Sequence, residues 1–211
     1  MINTNLVARC MGALAGLLLA VSANANLIVN GGFEENSVAA GSWSYFSSAS
    51  VNGWDGDNIE IWNQFAGVVA PEGQQHAELN AHPFDGGVFS IYQDFATVIG
   101  QTYDVSFFYS ARENANEKFN FSVDSLAALL DDHVVGIWSQ YTGSFVANSL
   151  LSTITFTTTD TGTLGNFLDD VVVVADVNSN PNVSVPESSS LVMLLIGLGG
   201  LIFMRRKNLA Q

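Results

Sequence analysis

The stretch QHAELNAHPFDGGVFSIYQDFATVIGQTYDVSFFYSAR, residues 75–112, holds the two most strongly patterned β-segments of the chain. Residues 88–95 and 102–110 are rich in β-branched and aromatic side chains. In the second run apolar and polar positions alternate, and one face carries Tyr103, Val105, Phe107 and Tyr109. Gly100 lies between the runs, where the chain reverses. The pattern predicts either an antiparallel hairpin or a short connection across two packed sheets.

Further segments with β-strand patterns lie on both sides of this stretch, between residues 26 and 176. Segment 26–35 is predicted as a short strand that runs into an Asn-Gly-Gly turn, and segment 125–132 is the one place with helical leanings. Further strands are predicted at residues 43–47, 59–63, 119–123, 134–138, 141–147, 150–158 and 171–174. About ten short strands without a long amphipathic helix predict an all-β fold, a two-sheet antiparallel sandwich.

The charge of the chain excludes several partners. Residues 26–185 contain 19 acidic side chains and two basic ones, Arg112 and Lys118, which is a net charge of −17. Nucleic acids and anionic lipids would be repelled, whereas divalent cations would be attracted. A high negative charge is also an ordinary means of staying soluble outside the cell.

The first 25 residues have the organisation of a signal peptide. Arg9 precedes the apolar run 11–21, and Ala23 and Ala25 form the small-x-small pattern that signal peptidase accepts. Cleavage is expected after Ala25. The single cysteine, Cys10, lies before the apolar run, so the exported portion has no thiol and no disulfide.

The other end of the chain carries a second apolar segment. After a linker at 177–184, residues 185–211 comprise Val185-Pro186-Glu187, an apolar run at 191–204, and a basic cluster at 205–207. Fourteen helical residues span ~21 Å against a hydrocarbon core of ~30 Å, so this short helix is a marginal membrane span. It suits transient insertion into the inner membrane or a permanent tail anchor, with the basic cluster in the cytoplasm and the domain outside.

This three-part tail resembles the PEP-CTERM sorting signal of Gram-negative bacteria. The resemblance covers residues 185–211 and departs at Ser188, where the box usually has a second proline. It implies recognition by an exosortase, removal of the tail, and delivery of the exported protein to the cell surface or the extracellular matrix of a biofilm.

The exported domain, residues 26–176, is similar to the galactose-binding-like jelly roll, which includes carbohydrate-binding modules of the family 4/9 type. The motifs that carry this resemblance are, in chain order, NGGFE at 30–34, AELNA at 77–81, YQDF at 92–95 with GQTY at 100–103, and GNFLDDV at 165–171. The resemblance implies a jelly-roll sandwich and extracellular polysaccharide as the partner.

The same resemblance implies a structural calcium ion where the first and last strands of a jelly roll meet. Glu34 matches the acid after the N-terminal Gly-x-Phe motif, and Asp169 matches the first acid of the terminal Leu-Asp-Asp-Val motif. Asp170, the next residue, is the third candidate ligand. Calcium takes six to eight oxygen ligands, commonly carboxylates, carbonyls and water. The alternative is that these acids cap turns or face solvent.

The aromatic residues of the early loops suggest a ligand surface. Tyr45, Trp54 and Trp62 are candidates for stacking on sugar rings, although aromatics in a β-sandwich are more often core. Glu78 and Arg112 are compatible with a buried ion pair, whereas a pair of acids in a groove would suggest a glycosidase.

Signatures of common enzymes are absent from the sequence: there is no nucleophile elbow, phosphate loop or dinucleotide fingerprint, and the three histidines lack metal-site spacing. The first hypothesis is therefore a non-catalytic module that binds exopolysaccharide. The second is a structural or adhesive matrix protein that binds proteins or itself, and a polysaccharide hydrolase is the third.

Overall fold

The computed structural model describes residues 25–83, 87–113 and 117–177. In these ranges the chain forms eleven β-strands and two short 3₁₀ turns, Ser48–Ser50 and Phe65–Gly67, and has no α-helix. The strands are β1 Ser42–Phe46, β2 Asp55–Gly56, β3 Ile59–Asn63, β4 Gln75–Glu78, β5 Ser90–Ala96, β6 Thr102–Ser110, β7 Phe119–Val123, β8 Leu126–Leu130, β9 Ser139–Val146, β10 Leu151–Thr158 and β11 Phe167–Ala175.

The strands form two antiparallel sheets packed as a jelly-roll sandwich. The six-stranded sheet has the order β1-β3-β4-β11-β6-β9, and the five-stranded sheet has the order β2-β5-β10-β7-β8. The predicted all-β, two-sheet fold is confirmed. Since β5 and β6 belong to different sheets, residues 97–101 are a connection between the sheets and not a hairpin turn.

The core between the sheets is apolar and rich in aromatic rings. Phe107 on β6 lies 4.9 Å from Phe121 and 5.1 Å from Phe156, measured between ring centroids. The alternation predicted for β6 is confirmed, because its four inward positions are all buried. On β10, Ile154 and Phe156 are fully buried as predicted.

The first described residues lie beside β11 without forming a strand. The Leu27 amide donates to the Val173 carbonyl at 2.8 Å, and the Val171 amide donates to the Gly31 carbonyl at 3.0 Å. The chain turns at Asn30-Gly31-Gly32, so these hydrogen bonds do not continue as a strand paired with β11. The strand predicted at 26–35 is therefore wrong, but the first and last segments of the domain are neighbours, as expected of a jelly roll.

Strand β8 occupies the segment for which the sequence suggested helical leanings. It pairs along its length with β7, with Ala128 opposite Phe121. A Leu-Ala sequence is compatible with helix or strand, and here the open edge of β7 supplies a partner for its backbone groups. Pairing with a sheet edge thus overrode local propensity.

Residues 134–138 form a turn where a strand was predicted. Their pairings are two isolated bridges, Val134 with Ile137 and Ala111 with Val135. Gly136 has a φ of 73°, in the left-handed region that glycine adopts without strain. The turn brings Trp138 over the outer face of the six-stranded sheet.

The predicted signal peptide and sorting tail fall almost entirely on residues 1–24 and 178–211, which lie outside the described residues. Both stay predictions. Across the three described ranges, no helix is long and apolar enough to cross a membrane.

Candidate functional site

The centre of the six-stranded sheet is buried on its outer face as well as on the face toward the core. Six outward-pointing side chains of β3, β4 and β11 are each no more than 3% exposed: Glu60, Trp62, His76, Glu78, Phe167 and Asp169. Three of them are ionisable acids, which are rarely buried without a partner. Segments 65–69, 110–113 and 135–138 lie over most of this region, and the loop at 71–75 contacts Asp169.

An aromatic cluster forms the floor of this region. The ring of Trp62 lies 4.8 Å from that of Phe65 and 4.9 Å from that of Phe167, both edge to face. Trp138 packs over the same floor, 5.3 Å from His76 and 6.1 Å from Phe167. Edge-to-face contacts of this kind orient rings as well as burying them.

A cleft of about 710 Å³ opens above these rings. Its walls are Phe65–Val69 on one side and the turn that ends at Trp138 on the other. The Trp138 indole nitrogen donates to the Val69 carbonyl at 2.9 Å, which ties the two walls together. A smaller recess of about 240 Å³, lined by Trp43 and His82, shares Phe65 and Arg112 with it. The two hollows together are named the aromatic cleft.

Arg112 lies where the two hollows meet. Its Nη1 atom donates to both carboxylate oxygens of Glu78, at 2.9 and 3.1 Å, and its guanidinium lies 4.8 Å from the Trp62 ring centroid. The predicted pair of Glu78 and Arg112 is confirmed as an ion pair. Fixed on both sides, the guanidinium is held at the wall of the cleft with about a fifth of the side chain exposed.

Glu78 faces a second acid across the sheet, because β3 and β4 pair Glu60 with Glu78. Burial and the charge of Glu60 raise the pKa of Glu78, and the Arg112 guanidinium and the Gly165 amide oppose this rise by favouring the charged carboxylate. Glu60 accepts from the Trp62 indole at 2.8 Å and from the His82 amide at 3.3 Å. Both carboxylates are therefore engaged by groups that also build the cleft.

His76 lies fully buried beneath the aromatic floor. Neither of its ring nitrogens has a hydrogen-bond partner among the described residues. Burial lowers the pKa of His76 to about 4, so the ring is neutral at ordinary pH. The neutral His76 ring packs below Trp138 as a flat, polar aromatic group.

The three aromatic residues predicted to bind ligand are placed differently from one another. Trp54 is in the core, stacked on Phe33 at 5.2 Å, so neither of its faces is open and the prediction for it is wrong. Trp62 lines the cleft but is 3% exposed and forms part of its floor. Tyr45 is 46% exposed on β1 and packs edge to face against His82 at the rim of the smaller recess.

The sequence reasoning did not select the half-buried rings that border the cleft, Phe65 and Trp138, or the exposed Trp43. Trp138 was placed in a strand, which hid its position after a glycine turn. A signal for Trp43 was present, because it alternates with Tyr45 on the same predicted strand. Positions two apart on a strand share a face, so the two form one exposed aromatic pair.

Two of the three predicted metal ligands, Glu34 and Asp169, meet the same loop, residues 71–75. Glu34 accepts from the amides of Gln74 and Gln75 at 2.6 and 2.7 Å, and Asp169 accepts from the amide of Glu72 at 3.0 Å. Asp170 has a φ of 48° at the β11 bulge, and its amide donates to Asp169.

The residues of this loop region fit a calcium ion in chemistry but only partly in arrangement. Asp169 is fully buried, and burial raises the pKa of its carboxyl to about 8. A Cβ on Gly32 would collide with the Glu72 carboxylate, with an Asp169 oxygen 3.8 Å away. Hard oxygen donors therefore lie close together. Within the described residues, however, no three acidic, histidine or cysteine side chains are gathered closely enough to hold a metal.

Comparison with known proteins gives similarity of fold alone. No family model matches the chain, and no curated protein matches it. Among solved structures, the chain is 16% identical to TmCBM61 in complex with β-1,4-galactotriose (TM-score 0.44, covering 72% of this chain and 99% of that chain). For CBM35 from Paenibacillus barcinonensis the identity is 18% (TM-score 0.39, covering 63% and 99%). For the xylan-binding domain CBM22-1 of Xyn10C from the same organism it is 11% (TM-score 0.40, covering 66% and 97%).

Proposed function

We propose that the domain is a non-catalytic carbohydrate-binding module and that the aromatic cleft is its binding site. The observation that carries this proposal is the cleft itself, in which the rings of Phe65 and Trp138 are half-buried beside the fixed guanidinium of Arg112. Flat aromatic faces pack against the CH-rich faces of sugars, and a few convergent polar groups then fix orientation.

The charge around the cleft favours a neutral glycan. Glu60 lines the smaller recess and Glu113 lines the larger one, while the one guanidinium present is already paired with Glu78. A polyuronate would meet these acids and the net charge of −17 between residues 26 and 185. A neutral polysaccharide outside the cell avoids this repulsion and is the proposed partner.

Binding without hydrolysis is proposed because the two buried carboxylates of the outer face, Glu78 and Glu60, have structural partners, which leaves Glu113 as the exposed acid that lines the cleft among the described residues. Glu78 is held by Arg112 and by the Gly165 amide at 2.8 Å, and Glu60 is held by the Trp62 indole. A glycosidase needs one acid free to donate a proton to the leaving group and another free to attack or to activate water. Both acids here are 3% exposed or less.

Affinity electrophoresis tests the proposal. The domain should be retarded in gels that contain a neutral polysaccharide, with galactan, xylan and the producing organism's own exopolysaccharide as the first panel. Trp138→Ala should weaken retardation about tenfold, since it removes the wall of the cleft. Tyr92→Ala is the matched control, because Tyr92 is a partly exposed ring on the other sheet. Equal retardation of both variants, or none with any polysaccharide, would contradict the proposal.

Export and sorting form the second part of the proposal. The small-x-small pattern at Ala23 and Ala25 supports cleavage by signal peptidase, and the tail from Val185 supports transient membrane insertion and processing by an exosortase. The expected destination is the cell surface or the extracellular matrix of a Gram-negative bacterium. Mass spectrometry of the protein released from cells should give an N-terminus at Asn26 and a C-terminus before the apolar run. An intact tail on the released protein would contradict the sorting step.

A structural calcium ion is the third part of the proposal. Glu34, Asp169 and Asp170 are its proposed carboxylate ligands, and Glu72 is added from its position beside Gly32. Bound there, the ion would supply positive charge that joins the first and last segments of the domain to the loop at 71–75, with no part in chemistry.

A further inference from the structure

Two connections lie side by side at one end of the sandwich: residues 97–101, between β5 and β6, and the turn between β9 and β10. The Thr97 amide donates to the Leu150 carbonyl at 3.0 Å, and the Gly100 amide donates to the Ala147 carbonyl at 2.8 Å. These bonds join the connections into one surface. We name residues 97–101 and 147–151 the exit surface.

The exit surface is mainly apolar, and the charged group in contact with it among the described residues is the Asp124 carboxylate, which accepts from the Asn148 amide at 3.3 Å. Four aliphatic residues on it are at least half exposed: Val98 at 50%, Ile99 at 60%, Leu150 at 70% and Leu151 at 57%. Neither 96–101 nor 146–152 contains an acidic or basic residue, in a domain with 19 acids. Single exposed aliphatic residues are ordinary, but a group of them on adjoining charge-free connections marks a surface that meets another apolar phase.

The chain leaves the domain from this same end. The Asp176 amide donates to the Thr102 carbonyl at 2.9 Å, and the Gln101 side-chain amide donates to the Asp176 carbonyl at 2.7 Å. The sequence then runs through thirteen residues, 178–190, before the apolar run at 191–204 begins. Thirteen residues reach at most about 45 Å, the fully extended length.

We propose that the exit surface rests on the lipid bilayer into which the apolar run at 191–204 inserts. The short connection places the end of the domain near the bilayer, and Val98, Ile99 and Leu150 enter its interfacial layer. The tether raises the effective concentration of the surface at the membrane, so a weak contact suffices. This inference rests on insertion of the tail and is independent of the aromatic cleft, which lies on the outer face of the six-stranded sheet.

The same geometry predicts which lipid the surface meets. With a net charge of −17 between residues 26 and 185, the domain is repelled by anionic headgroups, so the contact requires a zwitterionic surface. Phosphatidylcholine should therefore support the contact, and added phosphatidylglycerol should weaken it, an effect that salt should reduce. An attraction carried by basic residues would have the opposite dependence.

The test uses the full chain reconstituted in phosphatidylcholine vesicles that carry a quencher on the lipid. In a Cys10→Ser background, an environment-sensitive dye is attached at Leu150→Cys or, as a matched control, at the exposed Thr161→Cys. Since β10 runs from Leu151 to Thr158, position 161 lies beyond the opposite end of the strand. The dye at 150 should be quenched by the lipid, and the dye at 161 should not.

A second variant separates contact from simple proximity. Ile99→Ser should lower the ratio of contacting to free domain about tenfold, because full burial of one aliphatic side chain corresponds to roughly that factor. Retardation by a polysaccharide should be unchanged in this variant, which keeps the test distinct from that of the cleft. Equal quenching at 150 and 161, failure of the full chain to float with the vesicles, or a dye at 150 already shielded without lipid by a second copy or by the tail would each overturn the proposal.

Discussion

The two faces of the six-stranded sheet are both buried at β3, β4 and β11, yet they are built differently. The inner face is mainly apolar, with Ile61 and Val171 fully buried in the core, and its buried polar residues Asn63 and Gln75 are uncharged. The outer face holds Glu60, Glu78 and His76 among aromatic rings. Buried ionisable groups cost stability unless they are paired, so a fold would not gather them for packing alone. The inner face therefore stabilises the fold, whereas the outer face carries the candidate site.

Removal of a large inner-face side chain should have the largest effect on stability and none on binding. Phe107→Ala leaves a cavity among Phe121, Tyr141 and Phe156 and should lower the free energy of unfolding by about 4 kcal/mol. Urea denaturation measures this change. A loss of polysaccharide retardation in a variant that is still folded would contradict the proposal that the two faces have separate roles.

Removal of the guanidinium from the outer face should come next in size. Arg112→Met breaks the pair with Glu78 and the contact with Trp62, and should lower the free energy of unfolding by about 3 kcal/mol. Lys118→Met is the control, since it removes the other base of the domain at a partly exposed position. Similar urea midpoints for the two variants would show that the ion pair contributes nothing particular.

Calcium should stabilise the domain through the acids proposed to bind it, Glu34, Glu72, Asp169 and Asp170. At millimolar calcium, relative to a chelator, the free energy of unfolding should rise by about 2 kcal/mol, because a ligand that binds the native state alone stabilises it. Thermal unfolding of the wild type and of Asp169→Asn measures this rise, which the variant should lack. An unchanged wild-type melting temperature would remove the proposed calcium site.

In the absence of calcium, the free energy of unfolding should fall as pH rises from about 6.5 to about 8, because the buried Asp169 carboxyl loses its proton over this range. Burial raises the pKa of Asp169 from its ordinary value of 3.8 to about 8, so the stability tied to its protonated form is lost as pH rises between these two values. The pKa of His76 is lowered to about 4, so its opposite contribution changes below pH 6.5 and does not interfere. Asp169→Asn should flatten the profile between pH 6.5 and 8. A profile that rises over this range would contradict the pKa assignments.

The fold was predictable from the sequence where a strand has one buried face. The alternation of apolar and polar residues in β6 and β10 indicates which side chains point inward, and the structure agrees. It was not predictable at β8, because the Leu-Ala sequence fits helix or strand until the edge of β7 is known. At residues 134–138 the β-branched residues suggested a strand, but the positive φ at Gly136 turns the chain.

The site was less accessible than the fold. The pairing of Glu78 with Arg112 could be predicted, because a buried acid needs a base and the domain has few. Which tryptophan is core and which borders a cleft depends on how turns close over a sheet face, so Trp54 was misassigned and Trp138 was missed. The spacing of residues along the sequence does not indicate which turns close over which face of a sheet.

The most direct measurement is of intermolecular nuclear Overhauser effects between a bound oligosaccharide and the aromatic rings of the domain. The oligosaccharide should be cut from whichever polysaccharide retards the domain most strongly. The account predicts effects from sugar protons to the rings of Trp138 and Phe65, with none to Tyr92 on the opposite sheet. Effects confined to Tyr92 or to other residues of the five-stranded sheet would contradict the assignment of the aromatic cleft as the binding site.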